Sequence, residues 1–191
     1  AKSFVDAWNY GALSTNAQLQ GSFFDPIQGY DEVAAENPTT QTMSGLKIVD
    51  DKTFTIALKQ PEAAFPDRLG FTAYFPLPEV AYQDMAAFGE NPIGNGPYMF
   101  AREGAWQHNV KIDLVTNPDY DGNRKPVNGG VSFILYSNLD TAYTDLLSNN
   151  VDVVENVPAS AVTTFESDLP GRTVIQPSAV IETFTIPGRL P

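Results

Sequence analysis

His108 is the chain's single histidine, and the chain has no cysteine. Those two counts remove most side-chain chemistry. Disulfides, zinc–thiolate sites and cysteine nucleophiles are excluded, and multi-histidine metal centres with them. A Ser-His-Asp triad would have to use His108. It stands beside Trp106 and Gln107 in a polar hairpin loop, and reads as an exposed structural residue. Asp119-Tyr120-Asp121-Gly122-Asn123 is oxygen-rich like a calcium loop, but its glycine is misplaced and no bidentate glutamate closes it, so it reads as a solvated turn. There is no nucleophile elbow, phosphate loop or dinucleotide fingerprint. A carboxylate pair for glycoside hydrolysis could be drawn from the 23 acids, yet none has a distinctive setting. No catalytic residue, metal or cofactor is expected. Binding is preferred; a secreted hydrolase or carbohydrate-active module is the alternative. A structural or adhesion module is disfavoured because no internal repeat is visible.

The stretch around which the rest is organised is Asn91-Pro92-Ile93-Gly94-Asn95-Gly96-Pro97-Tyr98. Glycine permits positive φ, while proline fixes φ and removes a donor. Such a segment reads as a rigid turn that launches a strand. Gly94 and Gly96 are expected to hold conformations that a β-carbon would strain by about 1–2 kcal/mol each. Before this turn the chain reads as helices and loops with one hairpin, and after it as strands in quick succession. The turn is therefore expected to be the crossing point between two lobes.

In the first part, Phe4, Val5 and Trp8 share a helical face, and Gly11 is expected to end that helix. Asp25-Pro26 reads as an N-cap with proline at the first helical position, starting a helix through about Glu36. Leu46–Val49 and Thr53–Leu58 alternate around Asp50-Asp51-Lys52 as a hairpin. Short helices are expected over Glu62–Leu69 and from Pro78. Phe71, Tyr74 and Phe75 are expected to pack against Pro76 and Pro78. In the second part, Tyr98–Ala101 pairs with Asn109–Val115, and Asn117–Gly130 is a polar loop. Val131–Tyr136 is a near-continuous apolar run, the pattern of a strand covered on both faces. Asn138 caps a helix over Leu139–Ser148, with Leu139, Tyr143, Leu146 and Leu147 inward. Val151–Val154 reads as a strand, Pro158 starts a helix ending at Pro170-Gly171, and Thr173–Ile175 and Ile181–Ile186 read as the last strands. The alternation from residue 131 onward predicts a βαβ pattern. The fold class is α/β (mixed α+β), a mixed sheet with flanking helices.

Composition agrees with a folded, acidic binding protein. The 191 residues are 42% hydrophobic and 12% aromatic, enough to bury a core. Net charge is −12, which argues against nucleic-acid binding and suits solubility or cationic ligands. No apolar run approaches the roughly 20 residues of a membrane span. The sequence begins at Ala1, inside an expected helix and without Met, and reads as an excised piece of a longer protein whose targeting information lies elsewhere.

Pro92-Ile93-Gly94-Asn95-Gly96-Pro97-Tyr98 resembles the Pro-hydrophobic-Gly-Thr-Gly-Pro-Tyr signature of the extracellular solute-binding proteins, family 5, the oligopeptide-, dipeptide- and nickel-binding receptors of ABC importers. Other motifs agree in order: the hairpin at Leu46–Leu58 followed by Pro61, Asn117-Pro118-Asp119-Tyr120, and the helix-to-loop stretch from Leu146 to Val157. Trp8 resembles the aromatic that closes the family's preceding helix. Asp121 stands where the family usually has Trp, and Ile186-Pro187-Gly188 lacks the Asn that commonly follows that strand.

The resemblance implies a receptor with periplasmic-binding-protein-like class II lobes. Residues 1–92 would form part of the small lobe and residues 93–191 the central part of the ligand-binding lobe, the glycine-rich turn crossing between them. It implies a peptide ligand, ABC permease subunits as membrane partners and a monomer. It places the full-length protein outside the cell at the envelope, either periplasmic or as a membrane-anchored lipoprotein. Nickel and heme rank below peptide, because one histidine and no cysteine offer few ligands. The family meets the ligand backbone at the strand end corresponding to Val151–Pro158, which nominates Glu155 and Asn156. The loop after the first helix nominates Asn16. The competing reading of Asn156 is a cap for the helix opened by Pro158. Gly94, Gly96 and Pro97 are structural in this reading.

Overall fold

The computed structural model describes residues 1–177 and Thr183. The chain divides into two compact units, one running Ala1–Phe133 and the other beginning at Ile134. The expected lobe boundary at residues 92 and 93 lies inside the first unit, where helices give way to a sheet.

In the first unit, α1 (Lys2–Ala12) buries Val5, Trp8, Asn9 and Ala12, the spacing of one helical face. Gly11 does not end it. The helix closes at extended Leu13, whose N–H donates to the Asn9 carbonyl at 3.1 Å. Gly11 instead permits a close approach, since a β-carbon there would stand 2.8 Å from the Phe24 ring. Trp8 is the hub of the core. Its ring centroid lies 5.3 Å from Phe54, 5.1 Å from Tyr74 and 6.1 Å from Phe24, and its Nε1 donates to the Tyr74 carbonyl at 2.9 Å. Asn9, also buried, accepts from the Met43 N–H at 2.8 Å. Helix α1 thus ties down two loops as well as filling the core.

The helix expected from Asp25 does not form there. A short 3₁₀ turn covers Gly21–Phe24, and α2 spans only Tyr30–Ala34. The reason is competition for backbone groups. Ile27 bridges Leu58, Gln28 N–H donates to Ala57 O, and Lys59 N–H donates to Pro26 O at 2.8 Å. The Pro26 and Gln28 carbonyls, which a helix starting here would have used, accept instead from the Lys59 and Gly45 amides. Gly29 then turns the chain into α2 with φ 85°, and a β-carbon there would lie 2.3 Å from the Ser44 nitrogen.

The first hairpin forms as expected. In β1 (Leu46–Ile48) and β2 (Phe54–Ile56), antiparallel, Lys47 lies opposite Thr55. The following segments are shorter than their patterns: α3 covers Phe65–Arg68, and the segment opened by Pro78 is a 3₁₀ turn, Glu79–Tyr82. Of the aromatic–proline stretch only Tyr74 is buried, while Phe71 and Phe75 are each 54% exposed. Helix α4 (Met85–Glu90) was not expected, though its signal is present: Asp84 caps it, accepting from the Ala87 N–H.

Beyond the glycine turn stands a four-stranded sheet. Strand β5 (Lys111–Thr116) pairs antiparallel with β3 (Tyr98–Phe100) and with β4 (Trp106–Gln107), and β6 (Gly130–Ile134) also pairs with β5. The apolar run at 131–136 is not covered on both faces here: Phe133, Ile134 and Leu135 are 56%, 44% and 44% exposed.

In the second unit, α5 (Leu139–Leu147) is capped as expected, Asn138 Oδ1 accepting from the Asp140 and Thr141 amides. Its inward face is Ala142, Tyr143 and Leu146, while Leu139 and Leu147 are exposed, a correction of the expected set. Tyr143 and Leu146 pack with Ala161 and Leu169 in a small second core. The helix expected from Pro158 breaks into a 3₁₀ turn at Ala159–Ala161 and α6 (Phe165–Asp168). Residues 151–154 and 173–175 are not strands. A strand is stable only with a ladder partner, and among the described residues neither segment has one. The βαβ pattern is therefore not seen among the described residues. The strand expected at 181–186, and the Ile186-Pro187-Gly188 ending, lie outside them.

Candidate functional site

Glu155 and Asn156 lie side by side on an exposed bend between α5 and the 3₁₀ turn at Ala159–Ala161. The bend is held at its two ends. Before it, Asn149 adopts φ 57° and the Asn150 N–H donates to the Asp145 carbonyl at 2.8 Å. After it, Pro158 is buried. Between these points the valines divide, Val151 and Val154 packing against the second core while Val153 is 78% exposed.

Neither the Glu155 nor the Asn156 side chain makes a hydrogen bond among the described residues. The capping role for Asn156 is not realised, because the turn after Pro158 has no side-chain cap. Two polar side chains are thus exposed and unpaired among the described residues. The nearby Asp145 is the opposite case. Tyr136 Oη donates to it at 2.6 Å and Asn150 Nδ2 at 3.0 Å, and these donors hold its carboxyl below the ordinary range.

Asn16 belongs to the first unit. It closes a 3₁₀ turn, Ser14–Asn16, and its Nδ2 donates to the Tyr10 carbonyl at 2.9 Å, satisfying an acceptor near the end of α1. Half of its amide is therefore committed to structure. Its Oδ1 accepts no hydrogen bond from the described residues.

The glycine turn is simpler than expected. Neither Gly94 nor Gly96 has φ in the left-handed region, and β-carbons built on them would meet other atoms only at 4.0 and 3.9 Å. The expected strain is absent. The turn is held from outside by Asn117, whose Nδ2 donates to Gly96 O and whose N–H donates to Pro97 O, both at 2.9 Å. The Asn-Pro-x-Tyr motif thus clips the Gly-Pro turn to the end of β5, a role that spacing alone did not show.

His108 is exposed, its ring tilted against Trp106 with centroids 4.2 Å apart and its Nε2 2.7 Å from Glu90 Oε2. Among the described residues no nucleophilic side chain hydrogen-bonds to it. Among the described residues no group of acids and histidine could hold a metal ion, the Asp119–Asn123 loop included. No helix among them is long and apolar enough to cross a membrane. A groove of about 380 Å³ in the first unit, lined by Tyr10, Leu19, Phe24, Phe75 and Leu77, has no single-stretch signature. It arises where α1 meets two loops distant in sequence.

Comparison with known proteins gives these features a setting. The "Probable deoxycholate-binding periplasmic protein YgiS" of Escherichia coli is 30% identical over 139 residues, 71% of this chain and 25% of that protein. The "Periplasmic oligopeptide-binding protein OppA" of Salmonella typhimurium is 27% identical over 187 residues, 93% of this chain and 33% of that protein. Among solved structures, the unliganded open form of the periplasmic murein tripeptide-binding protein MppA superimposes with TM-score 0.80 at 23% identity, covering 89% of this chain and 33% of its own. Haemophilus influenzae OppA in complex with RPPGFSPFR does so with TM-score 0.80 at 22% identity, covering 89% and 34%. These likenesses establish the fold, and the chain spans about a quarter to a third of the length of these proteins. Residues 1–187 match the family described as "Bacterial extracellular solute-binding proteins, family 5 Middle", and the chain belongs to that family.

Proposed function

We propose that the full-length protein is the solute-binding component of an ABC importer, capturing extracellular oligopeptides or dipeptides and handing them to a membrane permease. It binds and does no chemistry. It acts as a monomer at the cell envelope, in the periplasm or anchored as a lipoprotein. Residues 1–92 belong to the small lobe and residues 93–191 to the central part of the ligand-binding lobe. Glu155 and Asn156 meet the ligand's main chain, and Asn16 contributes its Oδ1. Gly94, Gly96 and Pro97 are structural, setting the start of β3.

The observation that carries this reading is the bend at 155–156. It offers an acceptor carboxylate beside an amide that can donate and accept, both exposed and neither used locally. An extended peptide presents alternating N–H and C=O groups, and such a pair matches them. Family membership and relatives named for oligopeptide binding support the ligand class.

The test is calorimetry on the full-length receptor with oligopeptides, dipeptides, deoxycholate and Ni²⁺ in parallel. Glu155→Ala and Asn156→Ala are each expected to weaken peptide binding by about 1–3 kcal/mol, through a ligand group left unpaired. Peptide affinity unchanged by both substitutions overturns the site. Binding of deoxycholate or Ni²⁺ with no peptide binding overturns the ligand class.

A further inference from the structure

The sequence contains Asn-Gly at Asn95-Gly96 and at Asn128-Gly129. The dipeptide has an intrinsic reactivity that other asparagine pairs share only weakly. The backbone nitrogen of the following residue can attack the asparagine Cγ, and with glycine there is no β-carbon to hinder the approach. What a fold adds is control over whether that approach can happen. Three conditions decide it: the side chain must be free to swing, the glycine N–H must not be committed to a hydrogen bond, and water must reach the site.

Asn95 meets all three. It is exposed, its side chain makes no hydrogen bond among the described residues, and the Gly96 N–H donates to none of them. Gly96 is engaged only through its carbonyl, which accepts from Asn117. Asn128 is equally exposed, but its Oδ1 accepts from Tyr98 Oη at 2.6 Å. That bond anchors the amide which would have to rotate onto Gly129.

We propose that Asn95 is a site of spontaneous succinimide formation, ageing to aspartate and isoaspartate, and that the Tyr98–Asn128 hydrogen bond protects the second Asn-Gly. In the first step the Gly96 nitrogen forms a bond to Asn95 Cγ. The Cγ–Nδ2 bond breaks, and the proton from the Gly96 N–H leaves with that nitrogen as ammonia. Water then opens the five-membered imide at one carbonyl or the other. Opening at the α-carbonyl routes the main chain through the former side chain. The result adds a methylene to the backbone and a carboxylate to the turn, one residue before the carbonyl that Asn117 grips. That grip is lost in the isoaspartyl form, and the start of β3 at Tyr98 loosens.

The experiment ages the full-length protein in mildly alkaline buffer made with heavy-oxygen water, followed by peptide mapping with mass spectrometry. A chemically unfolded sample runs in parallel. In the unfolded chain the two asparagines are expected to convert at similar rates. In the folded protein Asn95 is expected to convert several-fold faster than Asn128, with heavy oxygen incorporated and with product methylated by an isoaspartyl methyltransferase. Tyr98→Phe, which keeps the ring and removes the hydroxyl, is expected to raise conversion at Asn128 and leave Asn95 unchanged. Asn95→Thr is expected to abolish the fast phase. Amide exchange at Tyr98 and Met99 is expected to quicken in aged wild type and not in aged Asn95→Thr. The proposal is overturned if Asn95 in the folded protein stays intact while the unfolded control converts. It is overturned equally if Asn128 converts as fast as Asn95, or if Tyr98→Phe slows Asn128, which would make the hydroxyl an activator of the amide.

Discussion

Trp8→Phe tests whether one indole both fills the first core and holds the Phe71–Pro78 stretch in place. The side chain is 2% exposed, and its Nε1 is the donor to the Tyr74 carbonyl. Phenylalanine keeps an aromatic ring against Phe54, Phe24 and Tyr74 but has no donor. A buried acceptor left without a partner costs about 1–3 kcal/mol. The smaller ring leaves about 40 Å³ unfilled, worth about 1 kcal/mol at the usual cavity cost. The expected loss is therefore about 2–4 kcal/mol. A local readout separates the two compact units better than one global unfolding free energy does. The suitable assay is native-state hydrogen exchange on the full-length protein, read at amides of α1, β1 and β2 against amides of α5. Protection is expected to fall in the first group and hold in α5, which belongs to the other compact unit. A loss below about 0.5 kcal/mol, the range of an ordinary surface change, would refute the reasoning.

Two further outcomes are expected. Gly96→Ala should leave thermal stability within about 0.5 kcal/mol of wild type, whereas Gly29→Ala, at φ 85° and with the Ser44 nitrogen in the way, should cost about 1–3 kcal/mol or more; equal effects on the melting temperature would contradict the geometry at both sites. Asp145 has its folded pKa depressed, so its stabilising contribution is fully present above its ordinary value of 3.8 and is lost as pH falls through the lower folded value. Asp145→Asn should flatten the acid limb of stability in the second unit below about pH 4, read by exchange or circular dichroism against pH.

What was legible in the sequence is what is local. The hairpin at Leu46–Ile56, the pairing of Tyr98–Phe100 with β5 and the Asn138 cap each rest on residues whose signals act within a few positions. Asp25-Pro26 carried an equally clear local signal and failed. The backbone groups of residues 26–28 are claimed by residues 57–59, a competition that no window around Pro26 contains. Val151–Val154 failed for the reverse reason. β-propensity reports a surface that fits a sheet, and among the described residues no partner strand stands beside this segment. The candidate site was legible only through the family motif, because an acid beside an amide on an exposed bend carries no chemical signature of its own. The Asn117 clip was present in the quoted motif, but its purpose depends on a contact across 21 positions.

The exposed run in β6 leads to the last prediction. Val131-Ser132-Phe133-Ile134-Leu135-Tyr136 has the pattern of a strand covered on both faces, yet Phe133 is 56% exposed here. A free phenylalanine face on an open strand is an aggregation hazard, and natural proteins cover or charge such edges. The chain spans about a third of the length of relatives such as OppA and MppA, so the reading that reconciles pattern with exposure is that other parts of the full-length protein cover this strand. Covering about 100 Å² more of the ring would be worth about 2.5 kcal/mol. Phe133→Ser in the full-length protein should then cost about 2–3 kcal/mol. Val127→Ser serves as control, because Val127 is fully exposed in the loop before β6 and outside any strand. The control should stay within about 0.5 kcal/mol of wild type. Thermal unfolding of both variants decides the matter: if Phe133→Ser is as silent as Val127→Ser, the strand is open in the whole protein and its apolar pattern serves some purpose other than a core.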